Sequence, residues 1–195
     1  MEKRSYHHGD LRRSLLDAGL ELLETREAHD LSLREVARAV GVSATAVYRH
    51  FPDKDALLDA LAAEGLGRLG AAQHRAAEAA GGGEKGFVAT GIAYVRFALD
   101  HPALFRLTFS ATAARNILAQ PPEHVPDAMA FLRENARAAG ELTGMDPHVI
   151  AVRAWSIAHG LALLILERQI EPDDALIEAV ISAEVLKLPR PPASA

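Results

Sequence analysis

The sequence predicts an all-α protein. An N-terminal three-helix domain containing a helix-turn-helix is joined by a long helix to a C-terminal helical bundle. Three observations predict it. Apolar residues recur at helical spacing almost from end to end, and no segment alternates cleanly with period two. Only 5% of residues are aromatic, which removes much of the usual strand vocabulary. Glycines, prolines and small polar caps then cut the periodic run into helix-sized pieces.

The first helix begins at the cap Asp10 and runs to about Thr25, with Leu11, Leu15, Ala18 and Leu22 on one face. A polar break follows over residues 26–31. Ser32 and Glu35 then form a capping box at the head of a short helix. Gly41 ends that helix in the left-handed conformation, Ser43 caps the next, and Pro52 stops it. Asp53 caps a long helix over residues 54–80, and three glycines, Gly81 to Gly83, make a loop after it. Further helices are expected over residues 84–100, 102–113, 126–142, 147–169 and from about 173 to 187. The domain boundaries expected are residues 1–53, 54–188 and a loose tail, 189–195.

Composition narrows the function. The chain has no cysteine, which removes disulfide scaffolds, thiolate metal sites and cysteine nucleophiles. Its first ten residues are polar and lead into no apolar signal core, and the strongest apolar run, residues 160–166, is too short to span a bilayer. A cytoplasmic protein with no membrane partner is expected. The net charge of −5 is unfavourable for nucleic-acid binding, so DNA contacts have to rest on a local arrangement of cations.

That arrangement lies between Leu33 and Leu57. Val36 and Val40 mark the inner face of one short helix and Val47 that of the next, while Ala37 is small where the two cross. Gly41 makes the turn and Val42 packs beneath it. Two helices this short need a third to bury against, which the first helix supplies. The second of the pair is then a recognition helix for the major groove of double-stranded DNA. Ser43, Ala44, Thr45, Tyr48 and Arg49 fall on its outer face. Ala44 and Thr45 suit a thymine methyl, and Thr45 also a base edge. Tyr48 and His50 suit phosphate oxygens, and Arg34, Lys54, Lys3, Arg4, Arg12 and Arg13 supply charge. The amides heading the Asp53-capped helix offer another phosphate site.

Leu33, Val36-Ala37, Val40-Gly41-Val42-Ser43, Val47-Tyr48, His50-Phe51 and Lys54 resemble, in register, the DNA-binding domain of the TetR family of transcriptional regulators. The opening residues 6–12 are similar to one subgroup. Trp155 to Leu161, with residues 100–106 upstream, resembles a C-terminal subclass of that family marked by Trp-x-x-x-His-Gly. The resemblance implies a homodimer that binds a palindromic operator, most often as a repressor, and a C-terminal domain that senses a small-molecule effector. It also implies that the last two long helices pair with their mates in a four-helix bundle.

Trp155 and His159 are four apart, on one face of one helix. They serve either as a core pair or as a pocket lining, and Tyr94, Phe97, Phe105, Phe109 and Phe131 are candidates to complete a ligand pocket. Ile150, Ala154, Ala158, Leu161, Ala162 and Ile165 form one stripe for a dimer interface or a core; Leu176, Ile177, Val180, Ile181 and Leu188 form another. The histidines are scattered without a ligand spacing, so no metal and no cofactor are expected. No nucleophile elbow, phosphate loop, zinc-protease or dinucleotide motif occurs, which leaves an enzyme without machinery. The other reading kept open is a chromosome-organising DNA-binding protein that senses nothing.

Overall fold

The computed structural model describes residues 11–110 and 127–182. Lys3, Arg4, most of the opening motif, Leu188 and the tail lie outside these residues.

All regular structure among the described residues is helical. The elements are α1 (Leu11–Leu23), a 3-10 turn (Ala28–Asp30), α2 (Leu33–Val40), α3 (Ala44–Tyr48), α4 (Lys54–Ala79), α5 (Gly83–Asp100), α6 (Pro102–Thr108), α7 (Asp127–Thr143), α8 (Pro147–Leu166) and α9 (Asp174–Ser182). The 3-10 turn falls within the expected polar break. It has no apolar period to announce it, and Asp30 and Leu31 bond back to Glu27 and Ala28.

Two compact units divide the chain. Among the described residues, the first holds 11–65 and 101–110, and the second holds 66–100 and 127–182. The first therefore extends past the boundary expected at residue 53, for a packing reason. Leu57 and Leu61, on the first turns of α4, are fully buried, and the methyls of Leu61 lie against Gly19 of α1. α6 joins the same unit by packing on α1 and on the 3-10 turn, and Arg106 of α6 is paired with Glu27 at 3.0 Å. Gly65 is required where α4 meets α6, because a Cβ there would stand 2.2 Å from Thr108 Oγ1.

In the second unit α8 is the central helix. α5, α7 and α9 all pack on it, and α9 also packs on α5. A smaller core of Ala136, Ala139, Ile150 and Ala151 fastens α7 to the start of α8. Pro147 at the first turn of α8 and the Asp146 carboxylate, which accepts from His148 N–H, start that helix. It stops at Leu166, short of the expected residue 169. Arg168 adopts φ 58°, and Gln169 N–H then reaches back to the Leu164 carbonyl.

The stripe expected to serve a dimer or a core proves to be core in large part. Ile150, Ala158, Leu161, Ala162 and Ile165 are buried within the chain, as are Ile177 and Ile181 of α9. The uncovered apolar positions of α8 are Val149 (52% exposed), Val152 (40%) and Leu164 (44%). A helix with apolar residues on both sides gives only a weak sequence signal of which side faces inward. An 18-residue window of α8 reaches a mean hydropathy of 1.9, and 33% of that window is buried. Residues 160–166 are therefore only part of the apolar length of this helix.

Candidate functional site

Local sequence sets the geometry of the helix pair. Ser32 Oγ accepts from Glu35 N–H at 3.3 Å and donates to the Glu35 carboxylate at 2.9 Å. Arg26, at 2.6 Å, and then Ser32 hold that carboxylate below its ordinary range. Gly41 sits at φ 77°, ψ 30°, and Val42 N–H bonds back to Ala37. Ser43 caps α3 by accepting from Ala46 N–H. Val36, Ala37, Val47 and Phe51 are buried, and α2 packs on α1 and α3 on α2.

With Val47 inside, the opposite side of α3 faces out. Ser43, Thr45, Tyr48, Arg49 and His50 are exposed and Ala44 is half-buried. Tyr48 is 50% exposed although it is a large aromatic on a short helix, which places its ring on the outer face. Arg34, Arg38 and Arg49 are exposed and form no ion pair with any described residue.

Lys54, Arg12 and Arg13 are engaged within the unit. Lys54 Nζ donates to the His29 carbonyl at 2.6 Å and so ties the head of α4 to the 3-10 turn. Arg13 bridges Asp17 and Glu64, and Arg12 lies 5.3 Å above the Phe51 ring. At the head of α4, Asp53 Oδ1 accepts from Ala56 N–H at 2.8 Å, which occupies one of the amides expected to meet phosphate.

The second unit contains a cavity of about 160 Å³. Tyr94, Phe131 and Trp155 line it, together with Gln73, Phe87 and Thr90, which sequence reasoning did not single out. His159 stands behind Tyr94, outside the lining, and Phe97 is buried in the core. The structure places Phe105 and Phe109 in the first unit, on and just after α6, with ring centroids 5.0 Å apart. α6 packs on α1, so these two rings serve the core of that unit.

Behind the cavity wall Tyr94 joins α5 to α8. Its hydroxyl lies 3.1 Å from Trp155 Nε1 and 2.7 Å from His159 Nδ1. The indole N–H can only donate, so the phenol oxygen accepts there. We assign the phenol proton to His159 Nδ1, which makes that imidazole neutral with its proton on Nε2. Burial favours the same state, since it pushes the His159 pKa down and the Tyr94 pKa up.

Comparison with known proteins places both halves. A family described as bacterial regulatory proteins, tetR family, matches residues 15–61, and one described as the tetracyclin repressor-like C-terminal domain matches residues 87–185. The tetracycline repressor protein class D of Escherichia coli is 44% identical over 57 residues, 29% of this chain and 26% of that protein. An uncharacterized HTH-type transcriptional regulator of Haemophilus influenzae is 49% identical over 47 residues, 24% and 23% of the two chains. The matches therefore span about a quarter of the length of these curated relatives. Among solved structures, a protein of unknown function from Rhodococcus sp. RHA1 is 35% identical, with 94% of this chain and 95% of that one covered, at a TM-score of 0.74. A TetR family transcription regulator from Marinobacter aquaeolei is 21% identical, covers 87% and 91% of the two chains at a TM-score of 0.62, and shares the fold.

Proposed function

Because the chain belongs to the TetR family of bacterial regulatory proteins, and is a DNA-binding transcription regulator rather than an enzyme, we propose that it is a repressor that binds a palindromic operator as a homodimer and is released by a small-molecule effector. The observation that carries the DNA half is the outer face of α3. Thr45, Tyr48 and Arg49 project from a helix whose other side is fixed by buried Val47 and Phe51. Thr45 is placed to read a base edge, and Tyr48, Arg49 and Arg34 to meet phosphates on either side of the groove.

One such helix spans too little DNA for selective binding, and two copies related by a two-fold axis match a palindrome. The uncovered apolar face of α8, with Val149, Val152 and Leu164, supports pairing with a second copy through that helix, with the opposite stripe retained as core. The cavity beside Trp155 supports an effector, and it weighs against a chromosome-organising protein that senses nothing. The effector acts by binding one arrangement of the two recognition helices more tightly than the other, and α4, which runs from the first unit into the second, is the continuous element between them. A regulator of this kind works in the cytoplasm, where its operator is.

The direct test of DNA binding is fluorescence anisotropy with a labelled duplex pool of mixed sequence, titrated over salt. The reading requires binding at low salt that weakens steeply as salt rises, and a shallower slope for Arg34→Ala/Arg49→Ala. A chain that ignores the duplex pool at every salt concentration would refute it.

A further inference from the structure

We propose that the cavity of the second unit takes a neutral, largely apolar molecule of about one ring, which donates a hydrogen bond to the side-chain carbonyl of Gln73. This rests on the reading of the cavity as the effector site.

The argument begins with α4. Leu66, Leu69, Gln73 and Ala77 follow one another along its buried face at helical spacing. Three of the four are apolar, and Gln73 is the exception, at 7% exposure. Its Nε2 donates to the Thr90 carbonyl at 3.3 Å. A carbonyl can only accept, so this bond fixes which end of the amide is nitrogen and turns Oε1 elsewhere. Oε1 is buried and has no hydrogen-bond partner among the described residues. A buried acceptor left in that state is costly. Gln73 lines the cavity, but its Oε1 exposes no surface there, so a ligand's donor reaches it only as the Gln73 side chain shifts toward the ligand.

The remaining walls set the rest of the molecule. Phe87, Met129, Phe131, Leu132 and Trp155 offer apolar and aromatic surface. No lysine, arginine or histidine belongs to the described lining, so nothing there balances a carboxylate or phosphate. The one carboxylate, Glu84, is exposed and stays hydrated, so it does not demand a cationic ligand. A volume of about 160 Å³ is close to that of an engineered apolar cavity of about 150 Å³ that holds one benzene.

Calorimetry on the full chain with phenol, anisole, benzoate, benzylamine and 4-phenylphenol tests each property. Phenol is expected to bind roughly tenfold more tightly than anisole, which lacks the donor. It should also exceed benzoate and benzylamine, which carry charge, and 4-phenylphenol, which exceeds the volume. In Gln73→Leu the preference for phenol over anisole should vanish while anisole still binds, which also shows that the variant is folded. Equal affinity for phenol and anisole in the wild type overturns the donor, tighter binding of benzoate or benzylamine overturns neutrality, and tighter binding of 4-phenylphenol overturns the size. Operator affinity measured in parallel separates this proposal from its premise. If phenol binds selectively and operator affinity is unchanged, the ligand chemistry stands and the effector reading fails. If a larger molecule releases the operator and no single-ring compound binds, the effector reading stands and the ligand chemistry fails.

Discussion

The Tyr94 hydroxyl accepts a hydrogen bond from Trp155 and lies 2.7 Å from His159 Nδ1, so one phenol on α5 engages two side chains of α8 four residues apart. Tyr94→Phe removes that oxygen and leaves both ring nitrogens without it. The expected loss is about 1–3 kcal/mol, read as a lower denaturant midpoint with an unchanged m-value.

His159 makes stability depend on pH. Burial lowers its folded pKa below the ordinary 6.5, so the unfolded chain binds the proton more readily. Its contribution is therefore fully present above pH 6.5 and declines as pH falls from there through the folded pKa. Wild type should lose more stability between pH 7.5 and pH 5.5 than His159→Asn does, as measured by urea unfolding. Identical pH slopes would show that the imidazole is not held neutral.

Gly41 separates conformational strain from crowding. A Cβ added there meets nothing within 4 Å, yet φ is 77°. Gly41→Val should lower stability by roughly 1–2 kcal/mol, and Gly41→Asn should lose much less because asparagine tolerates the left-handed region. Equal melting temperatures for the two variants would contradict the turn geometry.

Gly65 is the reverse case. Gly65→Ala brings a Cβ to 2.2 Å from Thr108 Oγ1 and should cost about 1–3 kcal/mol. The Gly65→Ala/Thr108→Ala double variant should recover part of that loss. Additive losses in the cycle would mean that the two helices do not meet there.

On the DNA side, Tyr48→Ala should weaken binding across all sequences, whereas Thr45→Ala should relax preference at one base pair per half-site. Lys54→Ala should also weaken binding uniformly. Its ammonium holds the His29 carbonyl, so a fall in melting temperature should accompany the effect. Anisotropy with matched and singly altered duplexes, together with thermal melts, distinguishes these outcomes.

The helix-turn-helix was legible because its signals are local. A serine and a glutamate three apart, a glycine between two valines and a serine after it leave the backbone few alternatives. The second unit was less legible. α8 carries apolar residues on both sides, so spacing could not show whether the stripe of Ile150 and Ala162 faces the chain's own core or a second copy, while Val152 and Leu164 stay uncovered. Aromatic residues were sound candidates for a pocket, but Phe105 and Phe109 belong to an element that packs on α1, and residue type carries no record of that. Gln73 did leave a signal, as a polar residue on the stripe of Leu66, Leu69 and Ala77 in an alanine-rich helix.

The most direct test of the regulator reading is selection of bound fragments from a random duplex pool with the full chain, followed by sequencing. The account predicts a palindromic consensus with half-site centres about one helical turn, or a whole multiple of it, apart. Recovered fragments with no shared sequence, despite binding at low salt, would contradict sequence reading by α3 and leave only non-specific attachment to phosphate.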